Sequence, residues 1–135
     1  MMPDATLLVV DDDEQVRRFC RECLTLAGFR VCEADNGFDA LLIGASQDGA
    51  VDLLITDMEM PRIRGPELAA AFQALWPSTM VLFISGSFQE SDREAFGANI
   101  SCLSKPFGLR RLVETVHGML AGSEATIFQT TGKIG

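Results

Sequence analysis

The chain has 135 residues, of which 47% are apolar and 22% charged, a composition typical of one globular domain rather than of a disordered segment. Nineteen acidic and eleven basic residues give a net charge of −8. This charge argues against direct binding to nucleic acid or anionic lipid, because both require a basic surface. No apolar run approaches the ~18 residues needed to cross a bilayer, and the first residues lack the features of a secretory signal. We therefore expect a cytoplasmic protein without membrane contact.

Strand-like apolar runs alternate with helical patterns along the chain. The predicted strands are 7–10, 29–34, 51–56, 80–85 and 101–104, and the predicted helices are 16–27, 38–45, 66–76, 89–97 and 109–120. The second strand alternates polar and apolar residues like an edge strand, whereas the first, third and fourth are continuously apolar like central strands. Strands that alternate with helices predict a doubly wound α/β fold, in which helices cover both faces of a five-stranded parallel sheet. We assign residues 5–120 to this domain and residues 121–135 to a C-terminal tail or linker.

Reactive side chains follow the predicted strands at their carboxyl ends, which meet at one rim of a parallel sheet. They are Asp11, Asp12 and Asp13 after the first strand, Asp57 after the third, Ser85 after the fourth and Lys105 after the fifth. The carboxylates of Asp11, Asp12 and Asp57 and the ammonium of Lys105 carry a formal charge of −3 + 1 = −2, which one divalent cation would balance. Oxygen ligands of this kind suit Mg²⁺.

This combination of groups is suited to phosphoryl transfer. The metal ion and the lysine would neutralise the transferring oxygens, and an aspartate would be the nucleophile. No glycine-rich loop for a nucleotide is present in the sequence, so the phosphoryl donor must provide its own recognition.

Four segments in this order resemble the receiver domain of two-component response regulators over roughly residues 5–120. They are "LLVVDDDEQVR", "DLLITDMEMPRIRGPEL", "FISG" and "SKPF", the last resembling the family's lysine before a cis proline. The resemblance implies a flavodoxin-like sheet of strand order 2-1-3-4-5 with five helices. It also implies a partner that carries phosphohistidine, either a sensor histidine kinase or a histidine phosphotransfer protein, and an unidentified downstream effector. Such a domain takes part in its own phosphotransfer and autodephosphorylation and is not a turnover enzyme.

The resemblance further implies a role for each residue of the group. Asp57 would be the phosphoacceptor, and Ser85 and Lys105 would bind the phosphoryl oxygens. The metal set would be Asp12, Asp57 and the backbone carbonyl of Glu59, with Asp11 acting through water. Asp13 would instead place favourable charge at the start of the first helix.

The sequence departs from the family pattern at two positions. Arg64 stands where the family commonly has an acid, and Cys102 stands where it has an aromatic switch residue. Because Cys102 is small, we expect the phosphorylation signal to run through residues 85–91, with Phe88 as the moving aromatic side chain.

A different class of protein, a haloacid-dehalogenase-type phosphohydrolase, is the alternative. Its D-x-D-x-[TV] motif would use Asp11 as nucleophile and Asp13 as the second acid. Against it, Gln15 occupies the Thr/Val position, and Asp57 has no role in that scheme.

Overall fold

The computed structural model describes residues 5–48, 50–86 and 99–124. The strands are β1 (Thr6–Val10), β2 (Arg30–Ala34), β3 (Leu53–Asp57), β4 (Met80–Ser85) and β5 (Ile100–Ser104), and the helices are α1 (Glu14–Leu26), α2 (Gly37–Ser46), α3 (Gly65–Leu75) and α4 (Leu109–Glu124). The helix predicted at 89–97 lies outside the described residues, and α4 continues past residue 120, where the tail was predicted to begin. Within these described ranges, no helix is long and apolar enough to span a membrane.

The five strands form one parallel sheet in the order β2-β1-β3-β4-β5, which confirms the predicted doubly wound architecture. β1, β3 and β4 lie inside the sheet and are almost entirely buried, whereas β2 is a partly exposed edge strand. Val10 pairs with Thr56, and Asp57 pairs with Ile84. The residues that follow these strands therefore meet at one edge of the sheet.

Two hydrophobic cores cover the two faces of the sheet. Leu7 and Val9 of β1 point into the core that contains α1 and α4, whereas Leu8 and Val10 point into the core that contains α2 and α3. This alternation follows from the two-residue period of a strand, and it explains why a central strand is apolar at every position. Because helices cover both faces, only the rims of the sheet remain available for polar chemistry.

The four cysteines are free, and Cys20 and Cys23 are buried in α1. Burial raises the pKa of the Cys20 thiol to about 12, an effect to which the charge of Asp11 adds. The thiol is therefore protonated at neutral pH and packs as a small apolar group in the core.

Candidate functional site

The turn between β1 and α1 brings the first acidic residues to the rim. Asp11 is 0% exposed, and its carboxylate accepts a hydrogen bond from the Asp13 amide at 2.9 Å. Asp12 is exposed. Asp13 is the N-cap of α1, and its carboxylate accepts hydrogen bonds from the amides of Gln15 and Val16 at 2.9 and 3.4 Å. The expected role of Asp13 at the helix start is confirmed, since a capping carboxylate satisfies amides that have no partner within the helix.

Asp57 ends β3 and is 8% exposed. Its carboxylate accepts a hydrogen bond from the Glu59 amide at 3.3 Å, so the backbone of Glu59 lies beside it. The Glu59 side chain points elsewhere, because its carboxylate pairs with the Arg64 guanidinium at 2.9 Å. Gly65 closes this loop, and its amide donates to the Met58 carbonyl at 3.0 Å.

Lys105 follows β5 and reaches across the rim to two carboxylates. Its Nζ lies 3.5 Å from Oδ2 of Asp11 and 3.6 Å from Oδ2 of Asp57. The peptide bond between Lys105 and Pro106 is cis, as the resemblance implies. The ammonium therefore lies between two carboxylates that are close enough to repel each other.

Ser85 is the last residue of β4 and is 2% exposed. It follows Ile84, the residue that pairs with Asp57, and its carbonyl accepts a hydrogen bond from the Lys105 amide at 2.8 Å. Ser85 therefore lies at the same rim as Asp57 and Lys105, one residue beyond the end of the β3–β4 pairing.

Three carboxylates form one cluster at this rim. Carboxylate oxygens of Asp11, Asp12 and Asp57 all lie within 4.8 Å of one another. Burial raises the pKa of Asp11 above its usual 3.8, and the charges of Asp57 and Asp12 raise it further, while the Asp13 amide and Lys105 oppose this shift. Hard oxygen donors that carry excess negative charge fit Mg²⁺, which usually keeps several waters and binds one or two carboxylates directly.

Arg17 also contacts the acidic turn, although no role was predicted for it from the sequence. One of its guanidinium nitrogens donates to the Asp11 carbonyl at 2.7 Å. The available signal was its place in α1, one helical turn after the N-cap Asp13 and on the same side of the helix.

The structure gives different roles to Asp11 and Asp13, the two acids of the phosphohydrolase alternative. Asp13 caps α1, and Asp57 instead joins Asp11 and Asp12 in the cluster. Cys102 is buried in β5, and the predicted moving aromatic, Phe88, lies outside the described residues.

Comparisons of sequence and of structure with known proteins identify the same family. A family model described as the response regulator receiver domain matches residues 7–117. The response regulator receiver protein CpdR of Brucella abortus (strain 2308) is 36% identical over 117 residues, which cover 84% of this chain and 95% of CpdR. The sensor kinase CckA of the same strain is 34% identical over 122 residues, which cover 86% of this chain and 12% of CckA. The crystal structure of the receiver domain from hybrid histidine kinase CckA matches with a TM-score of 0.75 at 33% identity, covering 86% of this chain and 99% of that one.

The relatives differ in how much of their own length this chain covers. It spans nearly all of CpdR, 12% of the sensor kinase CckA and about half of several transcriptional regulatory proteins. Residues 7–117 of this chain are the part that the receiver domain model matches. None of these matches supports a haloacid-dehalogenase-type phosphohydrolase.

Proposed function

This chain belongs to the response regulator receiver domain family, and on that premise we propose that it accepts a phosphoryl group on Asp57 in a Mg²⁺-dependent reaction. The donor is a phosphohistidine of a sensor histidine kinase or a histidine phosphotransfer protein. The observation that carries the proposal is the convergence of the Asp11, Asp12 and Asp57 carboxylates, with Lys105 between two of them.

The transfer is a displacement at phosphorus. A carboxylate oxygen of Asp57 forms a bond to phosphorus as the bond between phosphorus and the donor's imidazole nitrogen breaks, and the electron pair of that bond stays on the imidazole. Lys105, 3.6 Å from the Asp57 carboxylate, neutralises charge on the phosphoryl oxygens. The Ser85 hydroxyl donates a hydrogen bond to one of those oxygens once the phosphoryl group is in place.

Four residues hold Mg²⁺ in this proposal. Asp12, Asp57 and the backbone carbonyl of Glu59 would hold it directly, and Asp11 would act through a water molecule. This division is supported by the surroundings of Asp11, since its carboxylate is buried and already bonded to the Asp13 amide, whereas Asp12 is exposed. When bound, the ion supplies positive charge that draws the phosphoryl oxygens toward the Asp57 carboxylate.

Members of the receiver family are not typical turnover enzymes. For this chain we propose phosphotransfer to itself, autodephosphorylation and a conformational change that signals to an effector. CckA, to which the chain is similar, is described as a sensor kinase, which is consistent with a phosphohistidine donor. We propose no direct role for nucleic acid or membrane, because the charge of −8 disfavours both.

Intact-mass measurement after incubation with acetyl phosphate and Mg²⁺ tests the proposal. We expect a single added phosphoryl group that requires Mg²⁺ and is absent from Asp57→Asn. Asp48→Asn is the matched control: Asp48 is exposed and has φ 54°, a backbone conformation that Asn also adopts. Asp57→Asn labelling as well as the parent would refute the assignment, and steady turnover of a phosphomonoester would support the phosphohydrolase.

A further inference from the structure

We propose that Arg17 is a positioning residue for the metal site, because its guanidinium holds the backbone of the acidic turn in place. The inference rests on the proposed function, since it concerns how the carboxylates are held for Mg²⁺. Arg17 itself touches none of the proposed reacting atoms.

The Asp11 carbonyl depends on a donor from outside the strand ladder. Asp11 is 0% exposed, so water is largely excluded from it, and the pairing of β1 with β3 ends at Val10 and Thr56. Nη1 of Arg17 donates to the Asp11 carbonyl oxygen at 2.7 Å, a short bond in which the donor is charged. A buried carbonyl that lost this donor would carry a desolvation cost and would favour a rearranged turn.

A second contact fixes the direction of the guanidinium. Nε of Arg17 lies 3.1 Å from Oε1 of Glu33 on the edge strand β2, and the other oxygen of Glu33 lies 3.3 Å from Arg21. Glu33 therefore gives the Arg17 guanidinium a second anchor on β2. The Arg17 side chain is 17% exposed, whereas that of its neighbour Arg18 is 60% exposed and pairs with Glu14 of the same helix.

Arg17 acts through geometry rather than through its charge. Its guanidinium binds the backbone carbonyl of Asp11, which carries no formal charge, and its second bond is to Glu33. A lysine at this position would keep the charge, but all its donors are on one nitrogen, so it could not reproduce the bonds that Nη1 and Nε of Arg17 make to Asp11 and Glu33 from the planar fork of arginine. Arg17→Lys therefore distinguishes an effect of the geometry of the side chain from an effect of its charge.

Loss of the arginine guanidinium would make the turn between β1 and α1 less rigid. This turn carries Asp11 and Asp12, two of the proposed metal-binding carboxylates. One continuous segment carries the Asp11 carbonyl, which Arg17 bonds, and the adjacent Asp12. The same segment carries the Asp13 amide, which donates to the Asp11 carboxylate. Partners that orient metal ligands from outside the coordination sphere are typically worth about 10- to 100-fold in metal affinity. We expect Arg17→Lys to raise the apparent Kd for Mg²⁺ by at least about tenfold.

The test uses Arg17→Lys, Glu33→Gln and the matched control Arg18→Lys. One readout is the Mg²⁺ titration of the melting temperature, and a metal-free readout is hydrogen exchange at the Asp13 amide. We expect weaker Mg²⁺ binding and faster Asp13 exchange in Arg17→Lys, a smaller change of the same kind in Glu33→Gln, and parent behaviour in Arg18→Lys. Labelling by acetyl phosphate at saturating Mg²⁺ should recover toward the parent rate in Arg17→Lys, because the reacting groups are intact.

Failure of the proposed function and failure of the inference about Arg17 would give different results. A parent protein that neither responds to Mg²⁺ nor labels would refute the proposed function, and this inference with it. A parent that responds, together with an Arg17→Lys protein that matches Arg18→Lys in Mg²⁺ affinity and Asp13 exchange, would overturn this inference and leave the proposed function standing.

Discussion

Replacing Gly65 with alanine should damage the proposed site through the backbone of Asp57. A Cβ atom built on Gly65 lies 2.3 Å from the Asp57 carbonyl oxygen and 2.8 Å from Cα of Met58. Since real Cβ contacts are essentially never shorter than 3.0 Å, the gap to the carbonyl must open by at least 3.0 − 2.3 = 0.7 Å. Both neighbours are backbone atoms and cannot rotate away, so either the end of β3 or the start of α3 must move.

The expected magnitude follows from this displacement. Overpacking a well-packed site typically costs about 1–3 kcal/mol of stability, and we expect Gly65→Ala to fall in that range. A misplacement of about 1 Å in reacting groups can cost on the order of 100-fold in rate. Because a gap that must open by at least 0.7 Å lies directly at the Asp57 carbonyl, we expect labelling to slow by about 10- to 100-fold.

Gly44→Ala is the control for a purely structural effect. Its Cβ would lie 2.6 Å from the Trp76 ring and 2.8 Å from the Phe72 ring, where α2 meets α3. The variant should also lose stability, but it does not push on the backbone of Asp57. Urea unfolding would measure both losses, and the rate of labelling by acetyl phosphate at saturating Mg²⁺ would measure the effect on the site. Labelling of Gly65→Ala at the Gly44→Ala rate would refute the reasoning.

Three further predictions concern the acidic cluster and its response to phosphorylation. Without metal, Asp12→Ala should raise the melting temperature, because it relieves repulsion between the carboxylates. It should also lose most of the Mg²⁺-induced rise in melting temperature, whereas Asp13→Ala should keep it. Equal responses to Mg²⁺ in the two variants would contradict the assigned roles. Because the pKa of Asp11 is raised above 3.8, the metal-free fold should lose stability as the pH rises from about 4 through the folded pKa, and urea unfolding of Asp11→Asn should show this loss reduced. With beryllofluoride as a phosphoryl mimic, NMR shifts in the loop after β4 should be similar in the parent and Cys102→Ala but weak in Ser85→Ala; a lost response in Cys102→Ala would show that β5 carries the signal.

The sequence alone was sufficient to predict which residues reach the rim of the sheet. Continuous apolar strands that alternate with helices predict a parallel sheet, and in such a sheet the residues after each strand share one edge. Asp57 and Lys105 are therefore predicted to be neighbours although 48 positions separate them, and Nζ of Lys105 lies 3.6 Å from the Asp57 carboxylate. The strand order itself came from the resemblance to the receiver family, because periodicity does not specify which strands pair.

The residues at which a strand or helix begins and ends depend on contacts from distant parts of the chain. The third strand was predicted from residue 51 but begins at Leu53. The Val51 carbonyl instead accepts the Thr79 hydroxyl at 2.8 Å, and the Asp52 carboxylate accepts the Thr6 amide at 2.8 Å. Val51 is buried and apolar like a strand residue, so the local pattern could not reveal that a threonine side chain bonds its carbonyl.

Composition and periodicity were sufficient to predict the fold class, the edge of the sheet that carries the site and the chemical types of the side chains there. The reason is that burial in a layered sheet imposes a repeating pattern on the sequence. Composition and periodicity did not specify which of three consecutive aspartates caps a helix and which two join Asp57; the resemblance to the receiver family implied this division, and the structure has it. Only the tertiary structure decided the contact of Arg17, because its bond to the Asp11 carbonyl depends on the path of the turn and on Glu33 of a neighbouring strand. Side-chain direction at a turn is set by backbone torsions and by neighbours far along the chain, and neither leaves a periodic signal in the sequence.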